Sequence, residues 1–208
     1  MMKRIGIILL LFGLLIGLSG CLGGTGRQPL IRQYVLEYPP PPKGGQTAAA
    51  EMIRVERFSA NRLYNGLAML YRDGAYRREV YPEHRWRVGP ADMVTELLRR
   101  DLRQAGLFQA VLSPRDIEEI RYSLEGAVEE FLESGEGGER KALLTATVTL
   151  LDLSRKESAG LVVFQKTYRV ESPVSGKGAP GLAAAMSLAM SRFAQQVISD
   201  IDSALRRR

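Results

Sequence analysis

The chain has 208 residues, of which 45% are hydrophobic and 25% charged, with 29 basic residues against 23 acidic ones. That balance supports one globular domain with an appended segment and excludes a wholly disordered or fibrous chain. A single cysteine excludes an internal disulfide, and with one histidine beside it there is no His/Cys set at usable spacing for a metal.

The chain opens with Lys3 and Arg4, followed by Ile5 to Leu18, an apolar run interrupted only by glycines. Fourteen residues fall short of the ~20 that a mature membrane-spanning helix needs, and the run ends in small residues, so it reads as a secretory signal. Leu18, Ser19, Gly20 and Cys21 resemble a bacterial lipobox. Small residues let the backbone enter a membrane protease, and the thiol is the nucleophile that takes a diacylglyceryl group. Cleavage before Cys21 frees an amine for a further acyl chain. At ~0.8 kcal/mol per buried methylene, two or three chains hold permanently. The expected organisation is a signal peptide over 1–20, a lipidated cysteine and flexible tether over 21–30, and a domain over 31–208. No cofactor is expected beyond the acyl lipid on Cys21.

Removing residues 1–20 takes away Lys3 and Arg4 and no acid, so 27 basic and 23 acidic residues remain, a charge of +4. An exported protein with so modest an excess is not expected to bind nucleic acid; anionic lipid headgroups are the expected electrostatic partners.

Within the domain, Arg32–Tyr38 is β-prone and stops at Pro39–Pro42, which cannot join a ladder. Strands are predicted at Met52–Phe58, Gly66–Arg72 and Ala75–Tyr81, the last two forming a hairpin around Asp73-Gly74 as a type I′ turn. Pro90 suits the first turn of a helix reaching Ala105, with Val94, Leu97, Leu98, Leu102 and Ala105 on one face and Gly106 closing it. Further strands are predicted at Phe108–Leu112, Tyr122–Ser134, Ala142–Leu150 and Leu161–Val170. A last helix is predicted over Gly181–Arg206. The expected class is α+β, a mainly antiparallel sheet with two main helices packed on one face.

Candidate chemistry is sparse. Gly176, Gly178 and Gly181 spell GxGxxG, but no strand follows to carry the acidic residue that a ribose needs. No GxSxG elbow accompanies His84, and the acidic residues at Glu118-Glu119 and over Glu129 to Glu136 read as solvated charges. No enzyme is expected. The stretch YRDGAYRREVYPEHRWR instead interleaves Arg72, Arg77, Arg78, Arg85, Trp86 and Arg87 with tyrosines, a composition suited to docking a partner or an anionic headgroup. Its alternative is a basic hairpin with Trp86 in the core.

These segments resemble the ABC-type transport auxiliary lipoproteins, the family of paraquat-inducible protein C. The likeness runs from RQYVLEY through LYRDGAYRREVYPEHRWRVGPADMVTELLRRDLRQAGLFQAV, LEGAVEEF and ALLTATVTLLD to GLAAAMSLAMSRFAQQV. It implies a non-enzymatic partner of a mammalian-cell-entry (MCE) type ABC lipid transporter: an MCE-domain protein, a permease and an ATPase. It further implies a lipid anchor on the periplasmic face of the outer membrane, since Leu22 is not the aspartate of inner-membrane retention. A homo-oligomer is left open. The competing expectation is a structural envelope lipoprotein that braces or plugs an outer-membrane assembly without handling lipid.

Overall fold

The computed structural model describes residues 30–42, 49–116, 119–135, 138–155 and 161–207, and the body of the fold is the unit Ile31–Arg208. The lipobox Leu18, Ser19, Gly20 and the acceptor Cys21 lie outside the described residues.

The strands are β1 (Arg32–Tyr34), β2 (Ala49–Val55), β3 (Ser59–Ala60), β4 (Ala68–Arg72), β5 (Arg78–Trp86), β6 (Phe108–Leu112), β7 (Tyr122–Ser134), β8 (Lys141–Asp152) and β9 (Val162–Pro173). Two helices, α1 (Pro90–Ala105) and α2 (Gly178–Arg206), complete the described elements with one 3-10 turn at Arg62–Tyr64. The class is α+β, but the sheet is mixed rather than mainly antiparallel. Each antiparallel pairing joins strands adjacent in sequence, namely β4 with β5, β7 with β8 and β8 with β9. The other five pairings are parallel: β1 with β5, β2 with β6, and β2, β3 and β4 each with β7. Strands β2, β3 and β4 file end to end along one side of β7, meeting it at Ile53↔Tyr122, Ser59↔Ala127 and Tyr71↔Glu133. Hairpins alone would make the sheet antiparallel, but α1 is a crossover that returns the chain to lay β6 parallel to β2.

Side-chain periodicity explains the core. In β8, Ala142, Leu144, Ala146, Val148 and Leu150 are all fully buried, as a period of two with one face on the helices requires. Leu143 and Thr145 on the opposite face are buried too, and exposure resumes only around Thr147 and Thr149. Helix α2 lays Met186, Met190, Phe193, Val197 and Ile201 on that core with no exposed surface. Helix α1 does the same with Val94, Leu98 and Leu102. The helices touch each other while both cover the sheet, which places them on one face.

Local chemistry sets the ends of α1: Pro90 occupies its first turn, Asp92 faces the positive end of the dipole, and Gly106 caps the other end at φ 70°. The Thr95 hydroxyl donates to Ala91 O (2.7 Å) and accepts the Phe58 N–H (3.0 Å), tying the helix to the β2–β3 connection. Phe58 in turn covers Gly126 of β7, where an added Cβ would lie 2.3 Å from its ring. Beyond β1, the Tyr38 hydroxyl donates to the buried carboxylate of Asp101 (2.6 Å), and the Arg100 guanidinium lies 4.4 Å above the Tyr38 ring. The segment leading to the prolines is thereby fixed against α1. Helix α2 starts at Gly178, three residues earlier than expected, so the GxGxxG glycines form its entry, where Gly176 O accepts from Arg140 (2.8 Å).

Candidate functional site

The Tyr-Arg hairpin is present, but its turn is not the two-residue one expected. Arg72 pairs with Arg78, leaving a five-residue loop from Asp73 to Arg77. The loop is held from within: Arg78 donates to Ala75 O (3.2 Å) and Arg77 O (3.1 Å), while Arg77 donates to Asp73 (2.6 Å) and lies 3.4 Å from Glu79. At its tip the Tyr76 side chain is fully exposed.

The six residues expected to form one docking surface separate by burial. Trp86 is 1% exposed and packs its ring against Phe131 at 5.3 Å and 73°, so it belongs to the core and cannot meet a partner. Arg72 has a side chain only 10% exposed, donates to Ser134 Oγ (3.0 Å) and faces Glu130 at 3.7 Å; it ties β4 to β7. Arg78 and Arg85 are half-buried, the Nε of each sealed away from hydrogen-bond partners. Only Arg77 and Arg87 are exposed, and Arg87 donates to Gln33 Oε1 on β1 (2.7 Å). Much of the positive charge that made this stretch look like an anion-binding patch is therefore engaged within the fold, and what it presents outward includes Tyr76, Val80, Arg77 and Arg87 beside the acids Asp73 and Glu83.

Behind the hairpin, side chains from four strands converge. The Tyr81 hydroxyl donates to Glu133 Oε2 (2.7 Å), and Arg140 grips both oxygens of the same carboxylate (2.6 and 2.9 Å) as well as the Tyr81 oxygen (3.2 Å). Burial, and then Glu133 accepting its proton, push the Tyr81 hydroxyl up to about 12. The Tyr71 ring lies 5.1 Å from that of Tyr81, and the Tyr34 hydroxyl meets His84 Nδ1 at 2.9 Å. His84 is thus a bridge between β1 and β5. Among the described residues no three His, Cys, Asp or Glu stand together as ligands for a metal.

A second feature escaped the sequence reading. A cavity of 530 Å³ lies beside α1, lined among others by Arg57, Asp92, Glu96, Arg99, Ser113 and Arg115. Asp92, Glu96 and Arg99 share a helix face by their spacing of four and three, which the sequence displays. Arg57 and Arg115 come from loops far apart in the chain, which it does not.

No curated protein sequence matches this chain. Among solved structures, a Xanthomonas campestris protein of the DUF330 family is 20% identical, with 85% of this chain and 97% of that one covered at a TM-score of 0.75. A hypothetical protein from Chlamydia trachomatis is 9% identical, covering 77% of this chain and 100% of that one at a TM-score of 0.52. At such identities these likenesses establish the fold and nothing finer. The family model for the ABC-type transport auxiliary lipoprotein component matches residues 34–198, from β1 through most of α2. The chain belongs to the ABC-type transport auxiliary lipoprotein family.

Proposed function

We propose that this protein is a non-catalytic accessory of an MCE-type ABC lipid transporter, anchored through acyl chains on Cys21 to the periplasmic face of the outer membrane. There it docks the transporter's periplasmic lipid-carrying component, while ATP is hydrolysed elsewhere in the assembly. The observation that carries this reading is family membership over residues 34–198 in a chain whose segment before the fold reads as a lipoprotein signal ending at Cys21. The hairpin tip supports it in kind: Tyr76 is an amphipathic side chain with few rotamers, held out by a loop whose charges are already paired, and such side chains bind partners at low entropic cost.

The test is affinity purification of the lipidated protein from its own envelope, beside a Cys21→Ser form. An MCE-domain protein and the permease and ATPase should co-purify with the native chain, and palmitate labelling should vanish in the variant. Recovery of outer-membrane structural proteins alone would favour a bracing role, and labelling that persists in the variant would remove Cys21 as the anchor.

A further inference from the structure

The cavity beside α1 has the make-up of a ligand site. Its floor is Arg99, whose side chain is only 10% exposed. A guanidinium is among the costliest groups to withdraw from water, and a buried one is ordinarily surrounded by acceptors. Arg99 has one: an Nη donates to the carboxylate of Glu96, itself 67% exposed. Among the described residues no other acceptor hydrogen-bonds its guanidinium, although the Asp116 carboxylate stands within its electrostatic reach. Arg99 lines the cavity.

Two further guanidiniums reach the same space. Arg57 is paired fork to fork with Asp92, Nε to Oδ1 at 2.5 Å and Nη2 to Oδ2 at 2.9 Å. Arg115 stands exposed on the turn after β6, with no partner among the described residues. That turn is fixed by the Asp116 carboxylate, which accepts from the Ser113 N–H (2.5 Å) and hydroxyl (3.0 Å) and also feels the nearby Arg54 and Arg99 guanidiniums. The lining sets three guanidiniums against the two carboxylates Asp92 and Glu96, with Asp116 of the adjoining turn a third carboxylate within electrostatic reach of Arg99. A volume of 530 Å³ is in the range of small-molecule sites and exceeds what a bare carboxylate needs.

The geometry points to an oxyanion site in this cavity that takes a phosphate group, with Arg99 at its floor and Arg115 at its rim donating to the phosphate oxygens and Arg57 alongside. Planar N–H forks match phosphate oxygens in pairs, and a phosphate supplies the acceptors that Arg99 lacks. The phosphate can belong to a phospholipid headgroup or be free. The inference stands on the cavity alone and does not depend on the transporter reading.

The experiment is isothermal titration of the full lipidated chain, purified in a phosphate-free nonionic detergent. The titrants are inorganic phosphate, glycerol 3-phosphate and dihexanoyl phosphatidylglycerol, with dihexanoylglycerol as the control without phosphate. At least one phosphate compound should saturate the protein and the control should not. Arg115→Gln, an exposed change that leaves the fold intact, should weaken binding roughly tenfold, the equivalent of one charge-assisted hydrogen bond. Arg99→Gln should weaken it further, and where that variant loses its folding transition Arg115→Gln decides alone. Saturation by the headgroup compounds but not by inorganic phosphate assigns a lipid ligand; equal saturation by all three assigns the phosphate itself. Absence of binding by every phosphate compound, or unchanged affinity in folded Arg115→Gln, overturns the site.

Discussion

The two sides of β7 are built differently. On one side β8 and β9 continue it as a meander whose ladders run almost the full length of each strand, interrupted at Glu129 by a bulge in β7 and once more near Leu151 of β8. On the other side β2, β3 and β4 share its edge in short pieces, none of the parallel pairings engaging more than four residues. The meander forms from hairpins and carries α2, so its contacts are local in sequence and mutually supporting. The broken side is assembled by a crossover, and it holds both the hairpin with its exposed tip and the arginine-lined cavity. Loops and short strands around a rigid scaffold are where binding groups ordinarily sit.

The largest effect that tests this contrast comes from the meander. Leu144→Ala removes a fully buried side chain from β8 and should lower global stability by about 2–5 kcal/mol in urea denaturation. Native-state hydrogen exchange should show β7 to β9 opening only with global unfolding, and β1, β3 and β6 at lower free energy. Equal protection on both sides would remove the contrast.

Next in size is Gly126→Val, which thrusts a side chain into the Phe58 ring and should cost about 1–3 kcal/mol through overpacking. Because Phe58 lies between β2 and β3, exchange should rise first there. A neutral result would mean that the broken side does not depend on this contact.

A third test uses acid at the meander's end. Burial pushes the Asp152 carboxyl up, but hydrogen bonds from Ser154 and Arg121 outweigh it and hold it at about 2. A depressed carboxylate stabilises the fold above its unfolded value of ~3.9 and loses that contribution as pH falls toward the folded value. The stability difference between native protein and Asp152→Asn should therefore be full at neutral pH and shrink between about pH 4 and about pH 2. A difference independent of pH would assign the effect to packing. The smallest expected effect on stability is that of Tyr76→Ser, within ~0.5 kcal/mol for an exposed side chain, while recovery of the partner from envelopes should fall.

Much of the fold was legible from periodicity and punctuation. Pro90 and Gly106 bounded α1 to the residue, the alternation from Ala142 to Leu150 marked β8, and Asp73-Gly74 marked a hairpin. Strand direction was not legible, because turn chemistry encodes neighbours in sequence whereas the parallel pairs join residues brought together by α1. The candidate surface was legible in composition and misleading in role. Arg72 and Arg78 looked outward-facing, but Arg72 meets Glu130 and Ser134 through the register of β4 on β7, and Arg78 turns back on two carbonyls of its own loop. Trp86 could be core or interface by type, and its place opposite Tyr34 and against Phe131 decided for core.

We propose that the module, held by its acyl anchor, meets its partner at the hairpin tip. The most direct measurement places a photo-crosslinking residue at position 76 of the lipidated chain in its native envelope, with position 165 on β9 as the comparison. Position 76 should give an adduct with an MCE-domain protein that is lost in Cys21→Ser. No adduct from position 76, or the same adduct from position 165 alone, would contradict it.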